Sequence, residues 1–325
     1  MRKQSNIYTD LAMEAASDCG EIEGVTVTTE DNAETQLTVT TVNITGEAAE
    51  KRLRKPIGTY ITLESQLLME NAPSAHEAII KQFSQKLGEL HKLGRDDVVL
   101  VVGLGNWNVT PDALGPRVIS RVLVTRHLTT TDAVAQEIES SVRAVCAATP
   151  GVMGLTGIET GEIVRGIVDR VRPHLVIAID ALAARSIHRI NSTIQMSNTG
   201  LNPGAGMGNK RMALNEQTLG VPVISIGIPT VVDAATLIND TLDVILDDMV
   251  NQSDDGGEFY DMLRSLAEQE KYTLIRQVLT PYAGNMFVTP KEVDAVIGRL
   301  AGIVANALNI ALHPGITQDD INRYF

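Results

Sequence analysis

Hydrophobic and polar positions follow different periods in different parts of the chain. Residues 23–45 alternate β-branched and polar side chains around a turn-like stretch, which predicts a β-hairpin with one face in solvent. Residues 58–63 are a further strand candidate. Residues 74–93 carry apolar side chains at helical spacing, which predicts an amphipathic helix. Residues 98–102 are a continuous apolar run, a pattern typical of a strand buried on both faces of a parallel sheet.

Three further apolar runs, at residues 142–147, 175–179 and 221–228, predict strands in the middle of the chain. Helices are expected over about 159–171 and from 230 to about 249, and we also expect a helix over 181–190. Strands that alternate with helices form right-handed βαβ units. The pattern therefore predicts an α/β fold with a twisted, mostly parallel central sheet and helices on both faces.

The two ends of the chain differ from this repeating middle. Residues 1–20 are polar and small without periodicity, which predicts an extended or loosely held arm. Residues 22–70 form an N-terminal β-rich addition, and residues 255–325 add C-terminal helices after a linker at 251–259. We expect neither addition to have a core of its own, so that one α/β domain covers 11–325.

Composition and charge exclude several classes of protein. Hydrophobic residues make up 44% of the chain and aromatic residues only 3%, so the core is expected to be aliphatic. The net charge of −13 argues against electrostatic binding of nucleic acid or an anionic membrane. Cys19 and Cys146 lack zinc-site spacing, and no apolar run reaches the ~18 residues of a membrane span. With no signal peptide apparent, we expect a cytoplasmic protein with no direct nucleic-acid or membrane partner.

Two glycine-rich stretches resemble phosphate-binding loops, but neither motif is complete. Gly103-Leu-Gly105 follows a predicted strand, as in a dinucleotide-binding fingerprint, yet Asn108 occupies the position of the third glycine. Residues 204–210 place glycines near Lys210 but lack the Gly-Lys-Ser/Thr end of a P-loop. Binding of a nucleotide or another anion by these two stretches stays open as an alternative function.

Other catalytic signatures are missing. The sequence has no HExxH and no GxSxG motif, and its six histidines are dispersed, which argues against a multi-histidine metal site. Ser186 and His188 lie two residues apart on a predicted helix and therefore point in different directions. Cys146 lies in an apolar run and is interpreted as a core residue.

Carboxylates offer the most informative chemistry. Asp180 directly follows a predicted strand, and Asp112 lies in the segment after the strand at 98–102. Parallel strands end at one edge of a sheet, so the two side chains can converge there. A carboxylate pair can share one proton and activate a water. The alternative for both residues is a helix cap, and Asp233, a third candidate, can equally be an acid in the first turn of a helix.

Several stretches, in this order, resemble the spore germination protease family, from about Thr9 to the last helix. They are VVGLGNWNVTPDALGPRV, TRHL, TPGVMGLTGIET, AIDALAARSIHRIN, NPGAGMGNKR, VPVISIGIPTVVDA and VTPKEVD. The resemblance implies a fold like that of hydrogenase maturation proteases and a homotetramer made as an inactive zymogen. It places the essential aspartates at Asp112 and Asp180, in the TPDALGP and AIDALAAR motifs. It implies no cofactor, although the family has also been classed with metallopeptidases, which leaves a divalent metal open.

The resemblance also gives the N-terminal arm a role. Thr9-Asp10-Leu11-Ala12-Met13-Glu14 is similar to the motif at which family substrates, the small acid-soluble DNA-protecting spore proteins, are cut after an acidic residue. The expectation is self-processing between Asp10 and Leu11 in the forespore or spore core, with residues 1–10 as a propeptide. A maturation-type protease whose aspartates bind a metal of the substrate is a further alternative.

Acidic residues on both sides of the cut require cationic subsites. The candidates lie in or beside the matching motifs: Arg185, Arg189, Lys210 and Arg211. The family is expected to carry a longer insertion where this chain has only NQSDDGGEF at 251–259, which leaves any function of that insertion in doubt.

Overall fold

The computed structural model describes residues 9–20, 22–33, 35–129, 141–203, 211–252, 274–275, 277–278 and 286–323. Most of the predicted linker and of the first C-terminal helix, and Lys210 with its glycine-rich stretch, lie outside the described residues. The strands, in chain order, are β1 (Val25–Asn32), β2 (Leu37–Ile44), β3 (Gly58–Glu64), β4 (Val99–Gly103), β5 (Val145–Ala148), β6 (Leu175–Ala184), β7 (Thr193–Ser197), β8 (Val223–Asp233) and β9 (Phe287–Val288).

Helices connect and cover these strands. They are α1 (Ala12–Cys19), α2 (Glu47–Leu53), α3 (Pro73–Leu90), α4 (Leu114–Ile119), α5 (Arg126–Thr129), α6 (Met153–Thr156), α7 (Thr160–Val171), α8 (Glu216–Leu219), α9 (Ala234–Gln252) and α10 (Val293–Leu312). Short 3₁₀ helices lie at Gln66–Leu68, Thr110–Asp112, Ile187–Arg189 and Gln318–Arg323.

All the strands belong to one sheet, in the order β1-β2-β3-β7-β8-β6-β4-β5, with β9 paired to β8. The parallel part comprises β5, β4, β6 and β8, which are the strands predicted from continuous apolar runs. The β-rich addition extends the same sheet through antiparallel pairs of β1, β2, β3 and β7. The predicted α/β class, with a parallel central sheet and an N-terminal addition, is confirmed.

The helix predicted over 181–190 is wrong. Strand β6 continues to Ala184 because β8 pairs with it along its whole length, as far as Ala184 opposite Val232. Long-range pairing therefore overrides the helical preference of this alanine-rich segment. Strand β8 likewise runs through Pro229, beside a register shift, which is a position where a strand tolerates proline.

The arm is more ordered than its polar composition indicates. Residues Ala12–Cys19 form helix α1, which contacts α2 and β2. Leu11 and Ala12 are fully buried, and Met13 and Ala16 lie in the same small core. The prediction of a loosely held arm is wrong for this part, because short apolar side chains too sparse to show a period still pack against the β-rich addition.

The two faces of the sheet are covered differently. One face, which we call the continuous face, packs a single large aliphatic core against α3, α4 and α10. The opposite face, which we call the divided face, carries two separate clusters, one under α7 and one under α1 and α2. Along β6, Val176 and Ala178 belong to the first cluster and Ala184 to the second, so Asp180 lies between them.

Helix α10 is the one described helix whose length and composition would allow it to cross a membrane. Of its most apolar window, 61% is buried inside the fold, as in the core helix of a globular protein.

Candidate active site

A cavity of about 790 Å³ opens on the divided face of the sheet. Its lining includes Asp112 and Asp180, together with Asp10 of the arm, Gln195 of β7 and Arg211. The two aspartates that the strand-edge argument selected therefore meet in one cavity, and the segment predicted to be cut lines it as well.

Asp112 is held by the 3₁₀ turn that follows β4. The turn is fixed from two sides, since the Thr230 hydroxyl donates to the Pro111 carbonyl at 2.8 Å and the Thr110 hydroxyl donates to Asp294 at 2.8 Å. The Asp112 side chain caps no helix here, so the capping interpretation does not hold for this residue.

Gly103 and Gly105 allow the backbone around this turn to pack closely. Gly105 has a φ of +110°, and a Cβ there would collide with the carbonyl oxygen of Asp112. A Cβ at Gly103 would collide with the backbone of Gly115. The incomplete dinucleotide motif is thus explained by close backbone packing around Asp112.

Asp180 lies within β6, on the face that also carries Val176 and Ala178. It is 8% exposed, and its carboxylate accepts a hydrogen bond from the Ala181 backbone N–H at 2.9 Å. Because the strand continues beyond it, Asp180 cannot be a helix cap.

The two carboxyl groups interact electrostatically. Burial raises the pKa of Asp180 well above its usual range, and the nearby charge of Asp112 raises that pKa further. Burial also raises the pKa of Asp112, while the Asn106 backbone amide and Arg211 oppose that change. Two interacting carboxyl groups can share one proton and so offer one general acid and one general base.

Two other sequence candidates have structural roles. Asp233 caps helix α9, accepting from the backbone N–H groups of Ala235 at 2.8 Å and Thr236 at 3.3 Å. Cys146 packs beside the aliphatic cluster under α7, and burial raises the pKa of its thiol. Asp233 is thus a helix cap that precedes α9, so the prediction that it lies in the first turn of that helix is wrong. Cys146 is partly buried against the core and not fully within it.

The arm is bound at the carboxyl end of β6. The Asp10 backbone N–H donates to the Ala183 carbonyl at 3.2 Å, and the Ala183 N–H donates back to the Asp10 carboxylate at 2.9 Å. Four residues further on, Glu14 accepts from the backbone N–H groups of Arg185 at 2.9 Å and Ser186 at 3.0 Å. The Arg189 guanidinium donates to the same carboxylate at 3.1 Å.

The predicted basic residues lie in two different places, some beside the arm and one beside the aspartate pair. Arg189 lies between Glu14 and Glu64, and Arg185 contributes its backbone N–H to Glu14. Arg211 acts on the aspartate pair, because its positive charge opposes the rise in the pKa of both carboxyl groups. Lys55 and Gln195 also contact the arm, and no motif in the sequence singled them out.

The described residues offer no complete donor set for a resident metal. Among the described residues, no group of three or more His, Cys, Asp or Glu side chains is arranged to hold a metal ion. The charge of Arg211 near both aspartates also disfavours a cation there.

Comparisons with known proteins agree over nearly the whole chain. A family model described as germination protease matches residues 3–258 and 247–325. The germination protease of Clostridium tetani is 47% identical over 324 residues, covering 98% of this chain and 99% of that protein. That of Bacillus pumilus is 42% identical over 360 residues, covering 98% and 96%. A solved NiFe hydrogenase maturation protease, HycI from Thermococcus kodakarensis KOD1, covers 69% of this chain and 98% of its own, at 16% identity and a TM-score of 0.32.

Proposed function

This chain belongs to the germination protease family, and from that premise we propose that it is a zymogen endopeptidase whose water nucleophile is activated by Asp112 and Asp180. Its substrates are small acid-soluble DNA-protecting spore proteins. It cuts itself between Asp10 and Leu11 and thereby removes residues 1–10. The homotetramer and the location in the spore core belong to the same proposal and rest on the family alone.

One observation carries the proposal. Thr9 and Asp10 line the cavity that holds the aspartate pair, the Asp10 backbone N–H donates to Ala183 of β6, and Glu14 is bound by Arg189. The segment becomes helix α1 at Ala12, so it is bound by one backbone hydrogen bond to β6 and by two acidic side chains in defined subsites. Backbone hydrogen bonds together with subsites for side chains are a common way to bind a peptide.

The difference between the two aspartates supports an assignment of roles. Asp180 is the more deeply buried and has the additional charge of Asp112 against it, so it holds the shared proton. In the proposed step, Asp112 takes a proton from water while the water oxygen bonds to the Asp10 carbonyl carbon. Asp180 then gives its proton to the Leu11 nitrogen and the C–N bond breaks. The products are a carboxyl group on Asp10 and a free amine on Leu11.

The contacts of the arm also support the proposed substrate class. A substrate must place acidic residues where Asp10 and Glu14 lie, at the Ala183 N–H and at Arg189. Hydrogen bonds to a charged group are the stronger kind, so these subsites favour acidic motifs despite the overall charge of −13.

The test is cleavage of a purified small acid-soluble spore protein, with the new N-termini read by sequencing. We expect cuts after an acidic residue that is followed by an apolar residue, with a second acid four residues beyond the first. Asp112→Asn and Asp180→Asn should not cut the substrate. Asp233→Asn is the matched control for both and should cut it, because Asn also caps helices and Asp233 lies outside the aspartate pair. Cuts at unrelated sites, or no cuts by chains that have lost residues 1–10, would contradict the proposal.

A further inference from the structure

The carbonyl oxygen of Asp10 belongs to the bond that we propose is cut, and it is held by two side chains. The Lys55 ammonium donates to it at 2.9 Å, and the Gln195 amide donates to it at 3.2 Å. Lys55 donates in addition to the neighbouring carbonyl of Thr9, at 3.0 Å. Neither Lys55 nor Gln195 lies in the two stretches that contain the aspartates and resemble the family, VVGLGNWNVTPDALGPRV and AIDALAARSIHRIN.

Gln195 is oriented by a second contact to the arm. Its Oε1 accepts from the Ala12 backbone N–H at 2.6 Å, which leaves its amide N–H₂ group toward the Asp10 carbonyl. The side chain is 8% exposed, so it is fixed by its surroundings as well. Gln195 therefore holds the chain on both sides of the bond between Asp10 and Leu11.

The sheet places Gln195 beside the aspartate pair. Gln195 pairs with Gly227 of β8, and Gly227 pairs with Asp180 of β6, so the three residues form one row across the sheet. Residues in such a row point to the same face, and the row spans about 10 Å from Gln195 to Asp180. The residue between them is Gly227, and the Leu182 side chain occupies the space that a Cβ there would fill. Gly227 and Leu182 both line the cavity.

Lys55 reaches the same point from the turn between α2 and β3. The residue before it, Arg54, is left-handed with a φ of +54°, and Pro56 follows, so the turn is conformationally restricted. Burial lowers the pKa of Lys55, and the charges of Asp10 and Glu14 oppose that change.

We infer that Lys55 and Gln195 form the oxyanion site of this protease. When water adds to the Asp10 carbonyl carbon, the π electrons of the carbonyl move to its oxygen. The negative charge then lies against one ammonium and one amide donor. Collapse re-forms the C=O bond and expels the Leu11 nitrogen, which takes its proton from Asp180. Lys55 and Gln195 exchange no proton, and the inference rests on the proposed cleavage after Asp10.

The test measures self-cleavage of the full chain by intact mass, for Lys55→Met and Gln195→Glu. The glutamate keeps an acceptor for the Ala12 N–H and removes the amide donor. Removing one such donor is expected to slow cleavage by about 100- to 1000-fold. Lys51→Met is the matched control, since the Lys51 side chain is 80% exposed and forms an ion pair with Glu47 of its own helix.

Hydrogen exchange at the amides of residues 11–19 separates catalysis from docking. Slow cleavage with unchanged protection of these amides is the result that the inference predicts. Slow cleavage with an equal loss of protection would mean that the two side chains only hold the arm, and cleavage at the wild-type rate would overturn the inference outright. Asp180→Asn runs beside them: if wild type is not cut after Asp10, or if Asp180→Asn is cut equally fast, the proposed function itself has failed.

Discussion

The two faces of strand β6 serve different purposes. On one face, Leu175, Ile177 and Ile179 are at most 1% exposed and belong to the large core. On the other face, apolar residues give way to Asp180 between two smaller clusters. A single strand thus stabilises the fold with one set of side chains, while its other set leaves room for a reaction.

Burying Asp180 on the divided face costs free energy, and the apolar burial on the continuous face offsets that cost. A carboxyl group at 8% exposure loses most of its hydration, and the pKa of Asp180 rises for that reason first. Charged groups are buried in this way mainly at functional sites. The opposite face supplies the apolar burial that keeps the fold stable despite this penalty.

The largest expected effect is on the divided face. Asp180→Asn removes the proton donor and should lower the rate of peptide cleavage by at least about 1000-fold, as for other residues in direct contact with the reacting atoms. Near-ultraviolet circular dichroism checks that the variant is folded. A folded variant that retains a tenth of the activity would show that the site does not depend on this carboxyl group.

The matching substitution on the continuous face should lower stability and leave activity nearly unchanged. Ile177→Ala, on the same strand, leaves a cavity in the large core and should lower the free energy of unfolding by about 2–5 kcal/mol. Denaturant titration measures this loss. Activity per folded molecule should stay within about two-fold of wild type, because only cavity formation is expected at this position. An inactive but fully stable variant would contradict the claim that this face of β6 stabilises the fold and does not take part in the reaction.

A smaller effect is expected where the arm is bound. Arg189→Gln removes an ion pair with Glu14, whose side chain is only 2% exposed. Hydrogen bonds to charged groups contribute about 1.5–3 kcal/mol, so self-cleavage should slow by about 10- to 100-fold. Arg170→Gln, at an exposed position on α7, is the control and should cleave at the wild-type rate. Equal rates for both variants would remove Arg189 from the binding site.

The smallest effect is a pH dependence of stability. The folded chain raises the pKa of Asp180 above its ordinary value of 3.8, so the folded state binds this proton more tightly than the unfolded state. The associated stability is present at low pH and is lost as the pH rises through that raised pKa. Asp180→Asn should therefore gain stability relative to wild type as the pH rises from the ordinary value of 3.8 through the raised pKa. Thermal unfolding of both chains checks this, and a difference that does not change with pH would contradict the raised pKa.

The sequence predicts those parts of the molecule that depend on local pattern. The hairpin of β1 and β2, helix α3 and the four parallel strands follow from apolar spacing. The meeting of Asp112 and Asp180 is predicted by the rule that parallel strands share one edge, together with the family resemblance. It holds because β4 ends at Gly103 opposite Ile179, beside Asp180, although Asp180 itself lies within β6.

Features that depend on distant partners could not be predicted in this way. Strand β6 extends past Asp180 because β8 pairs with it, and β7 forms between β3 and β8. Lys55 and Gln195 reach Asp10 from positions that are 45 and 185 residues away in the chain. Contacts over such separations leave no period or motif in a single sequence.

The most direct measurement is the intact mass of the full-length chain before and after incubation at mildly acidic pH. Wild type, Asp112→Asn, Asp180→Asn and the cap variant Asp233→Asn are compared, each checked for folding. We expect wild type and Asp233→Asn to lose residues 1–10, while Asp112→Asn and Asp180→Asn keep them. Loss of the same residues by Asp112→Asn or Asp180→Asn at the wild-type rate would contradict the claim that this aspartate pair makes the cut.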